Sequence, residues 1–250
     1  MDAQELNHRS IIAGVPRAII EKDFALSVVL LAISESKLVE SIVFKGGTAL
    51  KKIYFPEARF SEDLDFAASD IGEGKILKEL KTLFEGRELN GVKFGVLEKE
   101  KTRAGLRIAL KFTSILGQPQ RIRFDFSFRE NLALTPEEKA VVDNYSLGEA
   151  KLLVLPLEEL FAEKIHALFS RTAARDLYDV WYLFKCGVKT ERKLIDRKFA
   201  YYKEKFELSK LKDEIESFRQ DWKRDLTQFM KNVPEFDPVV REVDGKLRGL

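Results

Sequence analysis

Two aspartates one residue apart, Asp63 and Asp65, close residues 44–66, FKGGTALKKIYFPEARFSEDLDF, a stretch that opens on a paired glycine. In an extended Asp63-Leu64-Asp65-Phe66 the side chains alternate, so both carboxylates share one face and the apolar pair takes the other. Parallel carboxylates repel unless a cation lies between them, and a divalent metal bound through oxygen meets that need. Gly46 and Gly47 allow close approach of backbone, or of a phosphate, with no Cβ in the way. A helix beginning just after them would aim free N–H groups at such an anion. Thr48, next in line, reads equally as an N-cap or as a phosphate contact.

A third carboxylate comes from residues 121–128, the cleanest alternation in the chain. Ile122, Phe124, Phe126 and Phe128 point one way, and Arg121, Arg123, Asp125 and Ser127 the other. If this strand neighbours the first, Asp125 joins Asp63 and Asp65 in a site for one or two Mg²⁺ ions. The plainer alternative is that these aspartates flank turns or pair with Arg123.

Two helical segments add inward charges. In residues 156–170, Lys164 falls within the apolar stripe of Leu157, Leu160, Phe161, Ile165 and Leu168. A lysine so placed is costly unless it finds an anion. Asp176 falls within the stripe of the following segment, with Leu177, Val180, Trp181 and Phe184. Either Lys164 and Asp176 form a structural ion pair, or they face a shared cleft where Lys164 contacts a phosphate. Arg171 and Arg175 flank the intervening turn, as surface residues or as guanidinium contacts to a triphosphate or RNA backbone. His166 points away from the stripe and reads as exposed; Cys186 reads as structural.

The elements that must position these groups follow from periodicity and punctuation. A helix is predicted from Pro16 or Arg17 to about Ser36, with Glu21, Lys22 and Asp23 on a solvated face. A strand over 41–45, a short helix over 48–54 and a strand over 64–68 come next. A helix over 72–87 and strands over 92–97, 106–112 and 121–128 follow, the last three as an antiparallel meander beside the first two. From Pro156 the pattern is helical, over 156–170, 173–186 and a charged helix or helix pair over about 199–231. The class is α+β: a β-rich part, residues 1–145, and a helical part, residues 146–250.

The totals exclude little. Net charge is +2, from 43 basic against 41 acidic residues, so any nucleic-acid surface has to be local. Candidate runs are Lys51-Lys52, residues 99–103, Arg121 with Arg123, residues 203–212 and Lys223-Arg224. One cysteine and two histidines rule out an internal disulfide and the usual structural zinc site. The longest apolar run, 24–33, is roughly half a membrane span, and no signal peptide is evident, so a cytoplasmic protein without a membrane anchor is expected.

The motifs FKGGTALKKIY, RFSEDLDF, RIRFDFS and EKIHALFSRTAARDLYDVW, in this order over about residues 21–182, resemble the AbiEii/AbiGii toxin family of nucleotidyltransferases. The resemblance implies a polymerase-beta-like nucleotidyltransferase core with a small mixed or antiparallel sheet, followed by a helical domain completing the cleft. It implies the toxin half of a toxin–antitoxin or phage-defence system, with a separately encoded antitoxin as partner. The implied reaction is Mg²⁺-dependent transfer of a nucleotide from GTP or another nucleoside triphosphate to an acceptor hydroxyl, foremost the 3′ end of tRNA. By position, Gly46, Gly47 and Thr48 are the phosphate turn, Asp63 and Asp65 metal ligands, and Asp125 the second-motif carboxylate. Lys164 is the lysine that contacts nucleotide phosphates and Asp176 the last motif's aspartate, with spacing alone not ranking Asp176 over Asp179. Two other readings stand beside this one: a non-catalytic GTP- or ATP-binding regulator, and an enzyme that nucleotidylates a protein side chain. Retention of all three aspartates and the lysine favours transfer.

Overall fold

A computed structural model of the 250-residue chain describes every residue except 69, 70, 101, 103, 104, 129–131 and 172, and omits the side chains of 212–214. The basic runs 99–103 and 203–212 thus lie partly outside the described residues. The chain divides into two compact units, residues 1–130 with 136–155, and residues 131–135 with 156–250.

In the first unit, α1 (Ala3–Ala13) is capped by Asp2, whose carboxylate accepts the Gln4 and Glu5 N–H groups. Then come α2 (Arg17–Ser34), β1 (Ile42–Lys45) and α3 (Gly46–Ala49), which runs directly into a π-helical turn, Leu50–Tyr54. Next are β2 (Asp63–Ala68), α4 (Glu73–Phe84), β3 (Glu88–Leu89), β4 (Val92–Glu100), β5 (Leu106–Thr113), β6 (Gln120–Ser127), β7 (Glu137–Ala140) and β8 (Lys151–Val154). They build one mixed sheet in the order β3-β4-β5-β6-β2-β1-β8-β7. The expected meander is β4–β5–β6, all antiparallel; β6 then joins β2 in parallel, and β2 joins β1 antiparallel. One sheet face is aromatic. Phe66 stacks on Phe126 at 5.4 Å between ring centroids, and Phe84 of α4 lies 6.4 Å from Phe124. Burying that face leaves the alternate residues of β2, β5 and β6 on the other.

Three expectations change in this unit. Two of the three charged residues expected on a solvated face of α2 are buried, Glu21 and Asp23 being 0% and 2% exposed, and Lys22 is half-buried. Almost every residue from Ile19 to Leu30 is buried, so the helix is covered nearly all round and its charges need internal partners. Glu21 accepts the Leu116 N–H at 2.7 Å and the Gln120 side-chain amide. Asp23 accepts from Lys52 Nζ at 2.6 Å and the Tyr145 hydroxyl at 2.8 Å. The short helix expected over 48–54 is present but starts at Gly46 and widens from Leu50 into a π-helical turn, with both Lys51 and Lys52 inside. The sheet-bearing unit also continues to Leu155, past the expected boundary at 145/146, because β8 pairs with β1 through Phe44 and Val154.

The second unit contains α5 (Leu157–Ser170), α6 (Ala174–Lys185), α7 (Arg192–Tyr201), α8 (Ser209–Leu226) and α9 (Phe236–Arg248). The helical run expected over 199–231 is interrupted where Lys203 takes a left-handed conformation, φ 60°. His166 is buried, not exposed. Its ring stacks on Tyr202 at 4.2 Å, meets Phe199 edge-on at 4.9 Å, and its Nε2 lies 3.2 Å from Glu204. A helical projection of α5 alone could not show this second covered side. Burial holds the His166 pKa below its ordinary value, against the pull of Glu204. Among the described residues, no helix is long and apolar enough to cross a membrane.

Candidate active site

The carboxylates of β2 and β6 are brought together by register. The two strands run parallel with Asp63 opposite Arg123, Leu64 opposite Phe124 and Asp65 opposite Asp125. Alternation then sets Asp65 and Asp125 side by side on the open face, with Asp63 one pleat earlier on the same face.

Gly46 fixes where Asp65 can lie. Its φ is +78°, and a Cβ added there would sit 2.1 Å from Asp65 Oδ2 and 2.7 Å from Cγ. Both the backbone conformation and the space therefore demand glycine. At Gly47 a Cβ would meet Ser61 Oγ at 3.0 Å and Arg59 Nη2 at 3.5 Å, a milder conflict with side-chain ends. Thr48 is buried and its hydroxyl donates to the Asp63 carbonyl at 2.5 Å, tying the glycine turn to the start of β2. It is not the N-cap of α3; Lys45 holds that position, without a side-chain cap bond. Gly46→Ala is expected to destabilise the protein by about 1–3 kcal/mol through backbone strain and to displace the Asp65 carboxylate, abolishing activity. Gly47→Ala should retain most stability. Thermal unfolding of the two variants beside a turnover assay checks both.

The open face is electrostatically uneven. The Asp63 carboxyl is held above its usual range, first by burial and then by neighbouring Glu62, with Arg123 and Lys22 opposing and Asp125 adding to the rise. Lys22 reaches Glu62 at 2.8 Å, and Arg123 approaches Glu100 at 3.5 Å. Asp125 accepts a hydrogen bond from Arg107 Nε at 2.7 Å, Arg107 standing directly opposite it on β5.

The donor set suits a hard divalent cation: three carboxylates on one face, one of them destabilised in its charged form by burial and by like charges. Among the described residues, no three His, Cys, Asp or Glu side chains stand close enough to hold an ion as they lie. Asp125 gives Oδ1 to Arg107 Nε, so ligation by this residue would fall to its other oxygen. The residues fit such an ion in chemistry and in register.

The helical unit carries its own cluster. Lys164 Nζ lies 2.7 Å from Asp179 Oδ2 and 3.6 Å from Asp176 Oδ1, all three side chains being buried. Asp176 accepts two bonds from Arg171, Nε at 2.7 Å and Nη2 at 3.1 Å. Lys164, Asp176 and Arg171 are thus assembled from α5, α6 and the turn between them, with Asp179, one helical turn on, as the nearer partner of the lysine. Arg175 instead packs over the Phe229 ring at 5.3 Å. Arg107 is the residue sequence reasoning missed. It sits at a polar position of a strand alternating Leu106, Ile108, Leu110 and Phe112, but only the register shows what it faces.

A family model described as "Nucleotidyl transferase AbiEii toxin, Type IV TA system" matches residues 28–247. Among solved structures, MenT4, a nucleotidyltransferase toxin from Mycobacterium tuberculosis H37Rv, is similar with a TM-score of 0.73 at 22% identity, covering 100% of this chain and 90% of that one. This likeness shows a shared fold. An antigenic nucleotidyltransferase-like protein from Paracoccidioides brasiliensis matches at a TM-score of 0.44 and 16% identity, over 82% of this chain and 93% of that one. No curated protein sequence matches.

Proposed function

Because the chain belongs to the AbiEii family of nucleotidyltransferase toxins of type IV toxin–antitoxin systems, we propose that it transfers a nucleotide from a nucleoside triphosphate to an acceptor hydroxyl with the help of Mg²⁺. The acceptor favoured is the 3′ end of a tRNA, in the cytoplasm. The observation that carries this reading is the β2–β6 register, which puts Asp65 beside Asp125 on the face that also bears Asp63. These three would hold one or two Mg²⁺ ions, which when bound supply charge neutralisation for the triphosphate and make the attacking hydroxyl more acidic.

The chain's own residues supply the rest. Gly46 gives the Asp65 carboxylate its place, and Thr48 locks the glycine turn to β2. The N–H groups of Gly47 and Thr48 would then orient phosphate oxygens, fixed dipoles that need no rearrangement during reaction. In the helical unit Lys164 would contact nucleotide phosphates, its amine held by Asp176 and Asp179, and Arg171 would add a guanidinium. An RNA acceptor is supported by Arg121 and Arg123, both exposed on the face of β6 that bears Asp125. Arg121 stands directly opposite Lys111, whose amine is taken by Glu98, which leaves Arg121 as the more exposed cation for a phosphate backbone.

The test is direct. The protein is incubated with Mg²⁺, each α-labelled triphosphate in turn, total RNA and a protein extract. Label in RNA of tRNA size, released by 3′ exonuclease, supports the proposal. Label in protein replaces the acceptor with a side-chain hydroxyl, and no incorporation from any triphosphate overturns it.

A further inference from the structure

Arg107 holds Asp125 in an unusual way. The guanidinium reaches the carboxylate with Nε alone, at 2.7 Å from Oδ1. Among the described residues, neither Nη group makes a hydrogen bond. A guanidinium has five N–H donors in a rigid fork, so four remain after the Nε bond. The same chain shows the alternative. Arg171 engages Asp176 with Nε and Nη2 on both oxygens, the side-on arrangement of an arginine that serves to neutralise a carboxylate. Arg107, opposite its partner across an antiparallel ladder, does not use that arrangement, although its side chain is 40% exposed and free to lie differently.

Three carboxylates act on Arg107, although Arg123 shares one of them, Glu100. Glu100 of β4 is its neighbour in the ladder, Asp125 lies on β6, and Asp63 of β2 also acts on its charge. The guanidinium is therefore anchored at Nε, makes no Nη hydrogen bond among the described residues, and belongs to the strand position directly opposite Asp125, one of the residues proposed to hold the metal. A planar donor edge so placed matches the non-bridging oxygens of a phosphate, which takes two parallel N–H bonds.

We propose that Arg107 is a substrate-binding residue of the transfer reaction, pinned to Asp125 through Nε and gripping a phosphate of the nucleoside triphosphate with its two Nη groups. This rests on the nucleotidyl-transfer reading given above. Asp125 then has two tasks, one oxygen holding Arg107 and the other remaining for the metal, so that substrate and cation are registered against one carboxylate.

Full-length wild type, Arg107→Gln and Arg107→Lys are compared for binding of the four α,β-methylene triphosphates with Mg²⁺, by calorimetry, in the absence of acceptor. The same proteins are titrated with Mn²⁺ alone, followed by electron paramagnetic resonance. Arg107→Gln is expected to bind the preferred analogue roughly ten- to a hundredfold more weakly, the worth of charge-assisted bonds to one phosphate. Its Mn²⁺ affinity should not fall, since a positive neighbour has been removed. Arg107→Lys should recover only part of the loss, because it restores the charge without the fork. Unchanged analogue binding by Arg107→Gln, or a parallel fall in Mn²⁺ affinity, overturns the proposal: in the first case Arg107 does not touch nucleotide, in the second it only orients Asp125. A higher KM for the acceptor with unchanged analogue binding overturns it as well, by moving the contact to RNA phosphate. A wild-type protein that binds none of the analogues overturns the transfer reading itself.

Discussion

Asp65→Ala is expected to reduce nucleotidyl transfer by at least about a thousandfold, the scale of several kcal/mol of charge stabilisation lost with a metal ligand. Asp65 is the middle member of the carboxylate set. Parallel register places Asp125 beside it, Asp63 precedes it on the same face, and the missing Cβ of Gly46 makes room for its carboxylate. Its side chain is only partly buried and lies on the face opposite the aromatic core, so its removal takes no apolar contact from that core. The fold should therefore persist. Asp65→Asn separates charge from shape: it fills the same space against Gly46 and should be as inactive as the alanine variant. Incorporation of labelled nucleotide, growth of cells expressing each variant, and circular dichroism together check this. Full turnover by a folded Asp65→Ala protein would sink the assignment.

Asp23→Ala is expected to cost about 3–5 kcal/mol of folding stability, the usual result of removing one partner from a buried ion pair. Lys52 is 0% exposed, with its amine on Asp23 Oδ2 at 2.6 Å, on Ser27 Oγ at 2.8 Å and on the Asp23 carbonyl at 3.2 Å. Without the carboxylate, a cation is left with neutral acceptors in a low-dielectric interior. The Tyr145 hydroxyl loses its acceptor at the same time; burial and the Asp23 charge keep that phenol protonated far above the ordinary range. For a chain of this length the loss corresponds to a fall in Tm of about 6–20 °C. Replacing both partners with apolar residues, Asp23→Leu with Lys52→Met, should restore much of the stability, because the cost lies in the unpaired charge. A double variant no more stable than Asp23→Ala would show that the pair contributes through geometry.

What the sequence disclosed depended on the range of the interaction. Alternation has a period of two residues, so the faces of Asp63, Asp65 and Asp125 were readable one strand at a time. A helical projection likewise put Lys164 and Asp176 inside their stripes. Partners across the fold were not readable, because register is a property of two distant segments. Asp125 can be given its face from residues 121–128, but not Arg107 as its neighbour; Lys164 can be turned inward, but its closer approach to Asp179 comes from helix packing. Glu21 and Asp23 were misread for the same reason. Three successive charged residues on one helix look solvated until Leu116, Lys52 and Tyr145 arrive from elsewhere to meet them. The strands β7 and β8 are four residues each and carry too few alternations to stand out from a loop.

The parallel pairing of β2 with β6 also has a temporal side. Asp63 and Asp65 leave the ribosome well before Asp125, and residues 106–113 and 120–127 must both emerge before β6 can dock between β5 and β2. At elongation rates of about 5–20 residues per second the interval between Asp65 and Asp125 is about 3–12 s. Pairing across so long a stretch of chain also bears its loop-closure entropy before any contact offsets it. β8, which closes the other side of β1, comes later still. A half-made chain that stops short of β6 therefore lacks Asp125, and with it the assembled carboxylate face.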